Sequence, residues 1–147
     1  FFLPDGMIGD SLPTAIGDDL NGSIGTVPGT DSPGATKFNE IAKSNNFKAG
    51  PYTKESYDSA ALIMLAMQAA NSTNSNDFKS KVMDVANAPG EKIFPGELAK
   101  GLKLLSEGKE IDYVGASAVE LIGGGESAGN FAEILIDNQK VTTVGYK

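Results

Sequence analysis

Residues 53–71 constrain the fold of this chain more than any other stretch. Tyr57, Ala60, Ala61, Met64, Leu65 and Ala69 recur at three- and four-residue spacing, the period of an α-helix. Thr53 stands where an N-cap belongs, and Glu55 puts a negative charge at the positive end of the helix dipole. Ile63, Ala66 and Met67 make the other side apolar as well. A helix of that kind is covered on most sides, which predicts a layer packed on a sheet with neighbours across it.

The remaining elements fit that α/β reading. Phe1 to Leu3 is a short apolar run stopped by Pro4-Asp5-Gly6, the pattern of a buried strand entering a loop. Residues 9–20 predict one or two helical turns, and residues 22–27 a strand closed by Pro28-Gly29. Over 33–45, Ala35, Phe38, Ile41 and Ala42 keep helical spacing, with Asp31 or Ser32 as N-cap and Pro33 at the first helical position. Residues 76–87 predict a further helix ended by Ala88-Pro89-Gly90. Another is expected to start with Pro95 at its first position and to end with Gly108 as the C′ residue. Runs at 111–114, 118–122, 131–136 and 141–146 predict strands, the last two joined by a hairpin-like connection over 137–140. Gly123-Gly124-Gly125 reads as a flexible turn. Eighteen glycines in 147 residues, about 12% against a usual share of roughly 7%, suit many tight turns at strand ends.

Composition removes several chemistries. With no histidine and no cysteine, the chain has no imidazole base, no Ser-His-Asp triad, no thiolate nucleophile, no disulfide and no His or Cys metal site. All twelve basic residues are Lys, against nineteen Asp and Glu, for a net charge of −7. Without Arg forks and with that negative balance, nucleic acid is a poor partner. Residues 22–26 lack the Gly-Lys-Ser/Thr ending of a phosphate loop, and Asp10, Asp18 and Asp19 lack the spacing of a calcium loop, so no cofactor or metal is expected. Nothing pairs Glu120, Glu126 and Glu133 for acid–base work, and no enzyme is expected. The chain opens without Met and strand-first, which reads as the continuation of an upstream part.

Two positions carry open readings. Asp5 follows a strand, where ligands of open α/β sheets sit, and its carboxylate would hold an ammonium group while Gly6 lets a ligand approach the backbone. The other reading of Asp5-Gly6 is a turn or helix cap. Tyr57 is either a core ring with its hydroxyl on one surface partner or the aromatic wall of a cleft. Tyr52 and Tyr113 share that ambiguity.

Five segments, in order along the chain, carry a resemblance. They are Phe2-Leu3-Pro4-Asp5-Gly6-Met7, then Leu20 through Pro28, then Gly50-Pro51 with Ser56-Tyr57-Asp58-Ser59-Ala60-Ala61-Leu62, then Pro95 through Lys100, and last Gly108 through Ser117. Together they resemble the branched-chain amino-acid-binding proteins of bacterial ABC transporters, which are type I periplasmic binding proteins. The similarity covers nearly the whole chain but only the later part of the family's. It implies the C-terminal part of a two-lobe α/β receptor, with helices on a mostly parallel sheet and short C-terminal strands. Residues 1–27 and 119–147 would belong to one lobe and 28–118 to the other, the N-terminal half being absent.

The resemblance further implies ligand contacts at Asp5, Gly6, Met7 and Tyr57, with Asp5 on the α-ammonium of an amino acid. Implied partners are that amino acid and the transporter's membrane subunits, in the periplasm (or outside a Gram-positive cell, lipid-anchored). Apart from the family, an exposed lobe interface would let this chain pair with a second copy. Sensing of a small amide or another amino acid by a receptor or regulator of the same fold is the alternative. Asp5 is shorter than the Glu of some relatives, and Ala118 through Gly125 replaces the family's acidic hairpin, leaving the end of that strand and its turn open.

Overall fold

The computed structural model describes residues 1–147, and close contacts group them into two units. Unit 1 comprises Phe1–Asp31, Gly50–Tyr52 and Gly129–Lys147; unit 2 comprises Ser32–Ala49 and Thr53–Ala128.

Unit 1 is built on β1 (Phe2–Leu3), β2 (Ile24–Pro28), β7 (Phe131–Asp137) and β8 (Lys140–Tyr146), in the order β1-β2-β7-β8. β1 and β2 are parallel, whereas β2-β7 and β7-β8 are antiparallel. The period-two pattern of β7 decides its faces: Ala132, Ile134 and Ile136 are buried, and Phe131, Glu133 and Leu135 point the other way. Leu3, Ile8, Leu20, Ile134 and Ile136 form the core, with Leu12 of the short helix α1 (Ser11–Ile16) packed on it. Asn138 and Gln139 both have positive φ (50° and 60°), and Asp137 pairs with Lys140. That is the two-residue hairpin whose twist matches the flanking strands.

Unit 2 holds α2 (Pro33–Ser44), α3 (Thr53–Ala70), α4 (Ser75–Phe78), α5 (Lys81–Ala86) and α6 (Leu98–Ser106). β3 (Glu91–Ile93) and β4 (Ile111–Tyr113) pair in parallel, and β5 (Leu121–Gly123) with β6 (Glu126–Ser127) forms an antiparallel hairpin. Ala61, Leu62, Leu65 and Ala66 of α3 pack with Val85, Ala86, Ile93, Ile111 and Tyr113 in one core. Ser32 caps α2, its Oγ accepting from the Ala35 N–H at 3.2 Å, with Pro33 following as expected. At the end of α6, Gly108 N–H donates to Leu105 O and Lys109 N–H to Leu104 O, both at 3.0 Å, which is a Schellman cap.

The expected α/β class is present, but the sheets are mixed rather than mostly parallel. The two-residue hairpin leaves β8 no choice but to run antiparallel to β7. Four details of the elements also differ from expectation. The helix foreseen over 76–87 is split into α4 and α5, although Lys79 and Ser80 keep α-region dihedrals, so the ladder is interrupted without a change of path. Pro95 does not start α6: Pro95-Gly96 occupies a turn closed by Glu97 N–H on Phe94 O at 3.0 Å. Gly96, at φ 86°, has the conformation that the second central residue of a type II turn requires and a helix forbids. The strand foreseen over 118–122 begins only at Leu121, since Ala118 has φ 54°. β3 was not foreseen, because only Ile93 of its three residues is buried.

The buried stripe of α3 is rotated by one residue from the predicted one. Asp58, Ala61, Leu62, Leu65 and Ala66 are buried, while Ala60 is exposed and Ile63 and Met64 are 44% and 42% exposed.

Candidate functional site

In unit 1, the chain leaves β1 through Pro4 into a single 3-10 turn, Asp5–Met7, closed by Met7 N–H on Pro4 O (2.9 Å) and Ile8 N–H on Asp5 O (3.0 Å). Buried Leu3 and Ile8 anchor the turn at both ends, so Asp5, Gly6 and Met7 are all exposed between them. One Asp5 oxygen accepts from the Gly6 N–H at 2.7 Å, and the other has no hydrogen bond. Nothing stands within 4 Å of where a Cβ on Gly6 would be, so the space over its backbone is open. The turn reading of Asp5-Gly6 is therefore realised, and it leaves one carboxylate oxygen available to a cationic donor.

In unit 2, the carboxyl ends of β3 and β4 lie side by side in parallel register, Ile93 opposite Tyr113. Two consecutive residues at the start of α3 reach them. Tyr57 is half-buried; its hydroxyl accepts from the Gly96 N–H at 3.0 Å, and its ring meets Phe38 edge-on with centroids 5.3 Å apart. The same ring walls an apolar hollow of about 270 Å³ with Phe38, Ile41, Ala42, Phe47 and Thr53. Asp58 is buried and accepts four hydrogen bonds: Tyr113 Oη (2.9 Å) and Ala116 N (2.8 Å) donate to Oδ1, and Ser117 N (2.7 Å) and Ser117 Oγ (2.6 Å) to Oδ2. A Cβ on Gly115 would stand 2.5 Å from Asp58 Oδ1, and its φ of 64° suits glycine, so the turn closes on the carboxylate.

Electrostatics follow these contacts. Burial, and then the Asp58 charge beside it, push the Tyr113 phenol far above its ordinary range. In the turn after β3, the Phe94 N–H donates to Glu97 at 3.0 Å and holds its carboxyl below the usual value against the effect of burial; Lys37 Nζ, 3.3 Å from the other oxygen, acts in the same direction. Lys37 also lies over the Phe94 ring, 4.3 Å from its centroid. No group of three or more acidic side chains is placed to hold a metal ion.

The structure brings Asp5, Gly6 and Met7 together in one turn of unit 1 and sets Tyr57 in unit 2. Asp58 was missed as a site residue, and its signal was present: 58, 61, 62 and 65 keep the i, i+3, i+4, i+7 spacing of a buried face. A carboxylate on that face needs buried donors. Gly115-Ala116-Ser117, in the last of the resembling segments, supplies most of them.

No protein-family model matches the chain. A substrate-binding protein of a chemotactic signal transduction system, BasB of Halobacterium salinarum, is 28% identical over 97 residues, covering 66% of this chain and 24% of that protein. The crystal structure of a leucine-binding protein, LivK of Thermotoga maritima, matches with a TM-score of 0.71 and 16% identity, over 99% of this chain and 36% of that one. The α/β fold is thus that of a portion of the LivK structure, and the chain spans about a quarter to a third of the length of these two proteins. Both are binding proteins. No helix is long and apolar enough to cross a membrane.

Proposed function

We propose that this chain is the later part of a solute-binding receptor with two α/β lobes, residues 1–27 and 119–147 in one and 28–118 in the other. The intact receptor binds an amino acid, branched-chain first among candidates, outside the cytoplasmic membrane and delivers it to the membrane subunits of an ABC transporter. The observation that carries this reading is the likeness to a leucine-binding protein over 99% of the chain. Asp5 takes the α-ammonium on its unoccupied oxygen, Gly6 and Met7 lie beside the ligand, and Tyr57 borders it. Binding works by population shift, the ligand favouring the arrangement in which both lobes touch it. Binding and release, rather than turnover, fit a chain without His, Cys or paired carboxylates.

A second reading is favoured by the likeness to BasB: the same binding event feeds a signalling partner instead of a permease. The chemistry of the site is common to both, and the partner distinguishes them.

Calorimetry with leucine, isoleucine and valine on the intact receptor containing this chain tests the reading. Asp5→Ala is expected to weaken binding by about tenfold to a hundredfold, the worth of a charge-assisted hydrogen bond. Equal affinity for wild type and variant removes Asp5 from the site. Absence of both heat and thermal stabilisation with every amino acid tried removes the function.

A further inference from the structure

The turns after both parallel strands of unit 2 are held from two consecutive residues of α3. Tyr57 takes the Gly96 N–H after β3, and Asp58 takes four donors at and beyond the end of β4. Asp58 is 2% exposed and all four of its donors are neutral. A buried carboxylate with no cation beside it is a poor source of stability, because the loss of hydration opposes what its hydrogen bonds gain. An apolar residue would continue the stripe of Ala61, Leu62 and Leu65 at less cost.

The carboxylate does one thing that an apolar residue cannot. Its two oxygens receive the N–H groups of adjacent residues, Ala116 and Ser117, and so fix the orientation of both peptide units. This turn needs such a hold. Ala118 has φ 54°, in a region that costs a residue with a side chain, and Gly115 has φ 64°. Left without acceptors, these groups would favour other turn conformations.

We propose that Asp58 is a positioning residue for the ligand-facing end of unit 2: it holds the 114–118 turn in a single conformation in the ligand-free protein. Tyr57 does the same for the 94–97 turn. The ligand-facing part of this inference rests on the solute-binding reading above. A turn ordered in advance raises affinity because the entropy of ordering it is not lost at binding.

Amide hydrogen exchange, read residue by residue by NMR on the whole chain, tests the positioning role. Asp58→Asn keeps the size and removes the charge and half of the acceptors. Exchange at Ala116 and Ser117 is expected to quicken at least tenfold more than exchange at Leu65, Ile93 and Ile111. Ser117→Ala removes one donor, acts in the same direction by a smaller factor, and decides the matter if Asp58→Asn does not fold. Unchanged exchange at Ala116 and Ser117 overturns the proposal; so does quickening spread evenly through the core, which would make Asp58 a stability group only.

Calorimetry on the intact receptor, with L-leucine, L-isoleucine, L-valine and then the other amino acids, tests the ligand-facing part. Affinity at least threefold weaker in Asp58→Asn supports it, and equal affinity despite quickened exchange overturns it. Absence of both heat and thermal stabilisation in wild type with every amino acid tried overturns the solute-binding reading and the ligand-facing part with it, while the exchange data still decide whether Asp58 positions the turn.

Discussion

Glu97 illustrates how one side chain can join two segments. It accepts from the Phe94 N–H within its own turn and pairs with Lys37 of α2, which in turn lies over the Phe94 ring. Its carboxyl titrates below the usual value in the folded chain, chiefly through the Phe94 hydrogen bond. The stabilisation it gives is therefore complete above the unfolded-state pKa and is lost as pH falls through the lower folded value. Urea unfolding of Glu97→Gln is expected to show a shallower loss of stability on acidification below about pH 4.5 than wild type, by less than about 1 kcal/mol for so exposed a pair. An equally steep acid limb in the variant would remove Glu97 from the account. At this scale the sequence was only partly readable. The turn at Asp5-Gly6 and the cap at Ser32 are local events, set by residues within three positions of each other. Asp58 and its donors lie 55 to 59 residues apart, and no spacing rule reports such a partner.

Elements were legible where their signal is local and strong. The cap of α2, the Gly108 end of α6 and the 137–140 hairpin follow from side chains that suit only a few backbone conformations. α3 was legible as a helix but not in its rotation. Apolar residues on most sides left several faces equivalent by hydrophobicity, and the charged Asp58 argued against the face that is in fact buried. The rotation yields a test. Leu65, fully buried, should cost about 2–5 kcal/mol on truncation to Ala. The double substitution Ile63→Lys with Met64→Lys should change stability by only about 0.5 kcal/mol. Comparable losses in both, measured by denaturant midpoint at constant slope, would falsify the assigned face. α6 began late for a similar reason: Pro-Gly suits both a helix start and a type II turn, and the Tyr57 hydroxyl on Gly96 N–H accompanies the turn.

For the whole molecule, each unit has its own core, and the chain passes between them more than once. The charge of −7 is a property of the surface and says nothing about which ligand is bound. The α/β class was legible because helix and strand periods alternate along the chain, whereas the mixed sheet depended on which strands pair at a distance. The long span between Asp58 and the 113–117 segment also bears on kinetics. Closing a loop of more than fifty residues carries an entropic cost that nearby contacts do not, so these bonds are expected to form after the folding barrier. Tyr113→Phe, worth about 1 kcal/mol as one lost hydrogen bond, should then speed unfolding about fivefold and leave the refolding rate within twofold. Stopped-flow arms showing the reverse partition would place this junction in the folding nucleus. Formed late and lost early, the bonds around Asp58 would govern how long unit 2 stays folded more than how quickly it folds.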